Sequence, residues 1–427
     1  MINKTMSCQA MYSVARVHQI IMASTVLAFM LFTTSSQAAT NSRPFEIGSC
    51  LTIDSKVLHE QRQYCVHLPD SYTYAANAQR HYPVLYMLDG EDFFGTAAEV
   101  TDFMSSGTNG NYAIPEMIVV GIVNTNRTRD LTPTHTLVGL GGIGDFSSSG
   151  GAAAFLSFLN HELLPQIDHN YRTMPYRILA GHSLAGLAAV DALQNQPQMF
   201  QATIAIDPSL WWDNEVMLTQ AKTLLIHSDL HNRLYIALAN TPSIDGPFAN
   251  IASVHMNAIR AYAHFMETNP VFRQRFKMDY FPSEEHGSVP LVGLYNGLEF
   301  IFEGYKLTFA EGLNHPERIV AHFEKESTML GTNFPPPEKL INAIGYMALN
   351  DLKDPAKAIA LFTVNTTSYP QSFNAFDSLG EAYATFGKKT LAILNYKKSL
   401  ELNSNNTNAK EWLERASEQQ QGQPKRD

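Results

Sequence analysis

The chain has 427 residues, 45% of them hydrophobic and 16% charged, with a formal net charge of −10. Such a chain can fill a large core and is long enough for two domains, or for one with an appendage. Its acidic balance excludes a nucleic-acid partner, which needs a basic face, and outside a terminal "PKRD" no Lys/Arg cluster occurs.

In chain order, Lys4 and Arg16 precede the apolar run "IIMASTVLAFMLF", which is followed by the small residues of "TTSSQAA". This is an export-signal pattern with cleavage expected after Ala38 or Ala39. Residues 1–39 are therefore read as a signal peptide and the mature protein as periplasmic or secreted. The run is shorter than the ~20 residues of a spanning helix, and no later segment is long and apolar enough, so no membrane span is expected after cleavage. Of three cysteines, Cys8 lies in this leader, leaving Cys50 and Cys65. They sit in "FEIGSCLTI" and "QRQYCVHLP", β-like segments joined by a short polar stretch. A hairpin would bring them together, and an even pair in an exported chain predicts a disulfide.

Six further runs, "YPVLYMLDG", "MIVVGIV", "YRILAG", "ATIAID", "RLYIALA" and "FKMDYFP", are short, β-branched or aromatic, and bounded by turn residues. Amphipathic stretches such as 151–168 and 251–268 lie between them. This alternation predicts an α/β domain over residues 40–310: a mostly parallel sheet with helices on both faces, antiparallel at its first hairpin. Three prolines in "FPPPEKL" mark a break, and 311–337 is read as a linker. Residues 338–418 turn helical and repeat. Gly345/Gly380, Ala358/Ala392 and Phe362/Tyr396 recur 34 or 35 residues apart, the tetratricopeptide period with its small and aromatic positions. Such repeats offer a surface to a protein partner. The tail 419–427 is expected to be disordered, and the α/β domain is expected to fold without the residues beyond 330.

In an open parallel sheet, ligands bind at the carboxyl ends of the strands. "ILAGHSLAGLAAV" puts Ser183 at one such end, where two readings fit: a nucleophile elbow, or a serine capping the next helix. Gly181 fills the first small position of the elbow pattern; Ala185 stands where its last glycine would be, and Gly186 follows. Acyl transfer also needs two backbone N–H groups aimed at the oxyanion. Leu184, directly after Ser183, and Glu91 in "LDGE" are the candidates. A general base must follow in the chain, and His286 in "SEEHGSVP" does so just past the last strand. An acid to orient it is expected past "RLYIALA", where Asp245 is the one carboxylate. Glu284 and Glu285 are rivals, a dyad without an acid is a third option, and Asp207 is read as structural.

Together, "YPVLYMLDG", "GHSLAGLAA", "DPSLWW" and "EEHGSVP" resemble the esterase D-like branch of the α/β-hydrolases, nearest its trilactone siderophore esterases. The resemblance covers residues 45–305. It implies Ser183 as nucleophile, His286 as base and Leu184 and Glu91 as oxyanion donors, and it puts the acid near Asp245. Trp211 and Trp212 could wall an acyl or aryl group. Arg127 and Arg129 could hold an anionic substrate or pair with Asp130. His227 and His231 are four apart but lack the glutamate of a metalloprotease helix. No metal and no organic cofactor are expected. The function expected is an exported serine esterase cleaving a small-molecule carboxylic ester. The alternatives are acyl transfer by the same apparatus, or an inactive binding module acting through the repeats.

Overall fold

The computed structural model describes residues 45–74, 78–106, 111–137, 139–142, 144–225, 230–241 and 250–421. The leader 1–39 lies outside these, as do Asp245 and His227.

The eight runs expected as strands are β1 Ser49–Ser55, β2 Glu60–His67, β3 Tyr82–Leu88, β4 Ile118–Ile122, β5 Thr173–His182, β6 Ala202–Ile206, β7 Arg233–Ala239 and β8 Phe276–Phe281. They form one sheet in the order β1-β2-β4-β3-β5-β6-β7-β8. β2 runs antiparallel to both β1 and β4, and every other pairing is parallel. Cys50 lies opposite Cys65 in the β1–β2 register, and the two are joined in a disulfide.

The helices are α1 Gly90–Ser105, α2 Ala152–Phe158 (continued by Leu159–Leu163 as a π-turn and by Leu164–Asn170), α3 Leu184–Asn195, α4 Trp212–Leu224, α5 Ile251–Thr268 and α6 Val289–Ile301. After them come α7 Phe309–Asn314, α8 Ile319–Leu330, α9 Glu338–Tyr346, α10 Pro355–Ser368, α11 Phe373–Thr385, α12 Lys389–Leu402 and α13 Thr407–Gln421. Successive strand residues point to opposite faces, so β3 feeds two cores. Tyr82, Val84, Tyr86 and Leu88 join a layer with α2, α3, α4 and α5, whereas Leu85 and Met87 join a layer with α1 and α6. Apolar residues on both faces are what a central parallel strand requires.

The second layer does not end where a linker was expected. Residues 311–337 fold as α7 and α8, the first closed by a Thr308–Glu311 capping box and the second ended by Gly331 at φ 72°. Ile319, Phe323, Leu330 and Phe334 are buried with Tyr176, Phe302 and Tyr305, and the same layer continues into Leu340, Ile341, Ile344 and Leu361. From Ile47 onward the described residues form a single compact unit. The prolines do not separate two cores: Pro337 precedes α9, while Phe334, just ahead of the three prolines, packs inward. Gly345 and Gly380 each lie against an aromatic ring. A Cβ on Gly345 would stand 2.3 Å from the Phe362 ring, and one on Gly380 would stand 3.1 Å from the Tyr396 ring. The last helix runs on to Gln421, into the stretch expected to be disordered.

Candidate active site

Three neighbouring strands end the same way. β3, β5 and β6 are followed by Asp89, Ser183 and Asp207, non-glycine residues with φ of 52°, 61° and 42°. Left-handed backbone costs an L-residue about 1–2 kcal/mol, so three such residues at adjacent strand ends mark a place where sheet and turns hold the chain against its preference. The ladder supplies part of that hold. Ser183 N–H donates to Ile206 O at 3.0 Å, and Asp207 N–H donates to Ala237 O at 2.7 Å.

Ser183 takes a sharp turn into α3, with φ 61° and ψ −118°, and its side chain makes no capping hydrogen bond. Of the two sequence readings, the geometry is the elbow's. Close crossing of strand and helix depends on both glycines: a Cβ on Gly181 would meet Ala185 O at 2.4 Å, and one on Gly186 would meet Pro208 Cβ at 3.0 Å. Ala185 is tolerated because Gly186, one residue on, makes the close approach to the β6 turn. The Ser183 hydroxyl lies 3.4 Å from Ser209 Oγ, and Ser209 N–H donates to Ser183 O at 3.0 Å.

His286 lies past β8, with its side chain 41% exposed. Its Nδ1–H donates to Asp207 Oδ2 at 2.6 Å, and Asp207 is fully buried. The same oxygen accepts from His255 Nε2 on α5 at 3.0 Å, and Oδ1 accepts from Ala239 N–H at 2.9 Å. Burial alone would raise the Asp207 pKa, but the donors His255, His286 and Ala239 outweigh it and hold the carboxyl well below its ordinary range. Asp207 is therefore an anion at any working pH. His182, whose ring centroid is 4.4 Å from that of His286, is pushed down to about 4 by burial and by the neighbouring imidazole, so it is neutral.

The sequence reading put the acid at Asp245, but the partner of His286 Nδ1 is Asp207, which that reading took as structural. An acid past β7 was expected from the resemblance, whereas Asp207 sits one strand earlier. The rival Glu284 is engaged elsewhere, accepting from Ser288 Oγ at 2.6 Å. The available signal was positional: "AIDPSLWW" places an acid at the carboxyl end of the strand beside that of Ser183.

Leu184 is the first residue of α3 and Glu91 the second of α1, where the first N–H groups have no acceptor within the helix. On α1, Asp92 N and Phe93 N turn back onto Asp89 O, so Glu91 N–H is not consumed by that turn. Arg127, expected at a substrate, is occupied inside the protein. Its Nε and Nη2 clamp Asp89 at 2.9 and 2.7 Å, and Nη2 also donates to His182 O at 3.3 Å. It thus ties the start of α1 to the end of β5. Arg129 pairs with Glu60 and Asp130. Trp212, expected to wall the pocket, is fully buried, with its Nε1–H on Thr134 and Phe146 packed edge-on at 5.1 Å. A ring in this position cannot line an open pocket. Trp211 stays half-buried against the same layer.

The nearest approach to a metal site among the described residues is Asp207, His255 and His286, whose ligand atoms all lie within 4.8 Å of one another. Both imidazole N–H groups already donate to Asp207 Oδ2, so this is a hydrogen-bonded acid with its donors engaged. No described helix is long and apolar enough to cross a membrane.

An eight-stranded sheet of this order, with a strained serine after β5 and a histidine after β8, defines the α/β-hydrolase class of architecture. The family described as "Putative esterase" matches residues 55–268, half of the chain, and the chain belongs to that esterase family. A crystal structure of an IroE-like serine hydrolase from Shewanella oneidensis is 32% identical and superposes with a TM-score of 0.66, covering 75% of this chain and 99% of that one. Ferri-bacillibactin esterase BesA of Bacillus subtilis is 32% identical over 148 residues, 32% of this chain and 51% of its own. The siderophore triacetylfusarinine C esterase of Aspergillus fumigatus is 31% identical over 153 residues, 34% of this chain and 49% of its own. The chain thus spans about half the length of the curated relatives it matches.

Proposed function

We propose that the protein is a serine hydrolase of carboxylic esters, and that its substrates are esters of the siderophore type. The observation that carries this is His286, its Nδ1–H fixed by the buried Asp207 carboxylate and its ring 4.4 Å from that of His182, the residue directly before strained Ser183. The names of the relatives support the substrate class. With Nδ1 protonated and held, His286 presents Nε2 as the base. It takes the Ser183 proton as Oγ bonds to the ester carbonyl carbon, and Asp207 stabilises the imidazolium that forms. The Leu184 and Glu91 N–H groups receive the oxyanion. The alcohol leaves with the proton from His286, and water then cleaves the acyl-Ser183 bond with His286 again as base. Arg127 holds the two donor loops in register.

In this reading the enzyme works after export, released from the leader 1–39. The C-terminal helices are a tetratricopeptide-like array open to a protein partner, their Gly345–Phe362 and Gly380–Tyr396 packings being its repeating unit. The test is a panel of short acyl, aryl and lactone esters, including a trilactone siderophore, given to the purified mature protein. Turnover of the trilactone is expected to exceed that of simple aryl esters; no turnover of any ester would overturn the proposal.

A further inference from the structure

Asp207 Oδ2 accepts two imidazole N–H groups, and the proposed mechanism uses only one. The second is His255, five residues into α5, 6% exposed, with its ring at 87° to that of His286 and the ring centroids 5.5 Å apart. Its bond to Asp207 is the one its side chain makes among the described residues. The other groups facing the pair are neutral His182 from β5 and, beyond it, Asp89 clamped by Arg127.

We infer that His255 is a positioning residue of this site: its Nε2–H fixes the Asp207 carboxylate. The inference rests on the Ser183–His286–Asp207 reading above. A carboxylate carried on a strained turn has a free torsion at its end. Ala239 N–H holds one oxygen, and His255 holds the other where His286 can reach it. Without the second N–H, the shared oxygen would be free to turn away from His286 about that torsion.

The test is kcat and KM for a neutral ester in the wild type, His255→Phe and His255→Gln. Phe keeps a ring but has no donor, whereas Gln returns an amide N–H near the place of Nε2. His255→Phe is expected to lose about tenfold in kcat with KM unchanged, and His255→Gln to stay near the wild type. A folded His255→Phe that keeps wild-type kcat, or a His255→Gln that loses as much as His255→Phe, would overturn the inference. Should His255→Phe not fold, imidazole 15N spectra of the wild type and Asp207→Asn decide. The His255 Nε2–H resonance is expected to move on that substitution, and an unmoved resonance counts against the role. If Asp207→Asn itself keeps wild-type turnover, the failure lies in the parent reading and the inference falls with it.

Discussion

Replacing Asp207 by Asn changes one oxygen into an NH2 group and leaves no acceptable orientation. If the amide nitrogen takes the Oδ2 place, it points hydrogens at His255 Nε2–H and His286 Nδ1–H, which now donate there at 3.0 and 2.6 Å. If it takes the Oδ1 place, it opposes the Ala239 N–H at 2.9 Å. The second arrangement breaks a backbone bond in a fully buried spot; the first is relieved if His286 moves its proton to Nε2. That tautomer cannot accept the Ser183 proton. A wrong tautomer in a serine hydrolase lowers turnover by roughly 10⁴, about 5.5 kcal/mol of barrier. The assay is steady-state hydrolysis of an aryl ester, with circular dichroism to show that the fold is retained. Turnover within tenfold of the wild type would refute the reasoning, since no role for Asp207 at Nδ1 survives it.

Asp191 on α3 is buried, and burial pushes its pKa up to about 6, only partly offset by the 2.6 Å bond from Asn195 Nδ2. A raised folded pKa gives stability that is full below the ordinary value of 3.8 and lost as pH rises through 6. Asp191→Asn should therefore be the more stable protein at pH 7–8 by up to ~3 kcal/mol, with its advantage gone near pH 4; parallel stability curves would contradict this. Truncation after Leu330 removes Phe334, Leu340, Ile341 and Ile344 from the core layer that holds Leu85 and Met87. The shortened protein should be insoluble or melt much lower, and an active, soluble truncation would show that α9 onward is dispensable. Cys50 and Cys65 should resist alkylation until reduced, and their bridge should contribute ~3 kcal/mol in the chain-entropy description. Thermal unfolding with and without reductant measures that contribution, and an unchanged midpoint would contradict it.

The strands were legible because their signal is local: each is a short apolar run between turn residues, and both faces of a central parallel strand are apolar. The places of Ser183 and His286 were legible for the same reason: Ser183 stands at a strand end among small residues, and His286 just past the last strand, before Gly287. Asp207 was not, because its role depends on which side chains two other elements bring to it, α5 with His255 and the loop past β8 with His286. Trp212 and Arg127 misled in the opposite direction. Both stand beside the site in sequence, but one ring is needed to fill the layer under Phe146 and one guanidinium to bind Asp89. The linker at 311–337 failed because three prolines can lead into a helix without ending a core, and the burial of Phe334 beside them is a tertiary fact.

The central claim is that Ser183 is the nucleophile, and covalent capture tests it most directly. The purified mature protein is treated with a fluorophosphonate and examined by intact mass and peptide mapping, with Ser183→Ala treated in parallel. One adduct per chain is expected, on the peptide containing "AGHSLAG", with none on the folded variant. An adduct that survives in Ser183→Ala, or a wild-type protein that takes none while it still hydrolyses ester, would contradict the account.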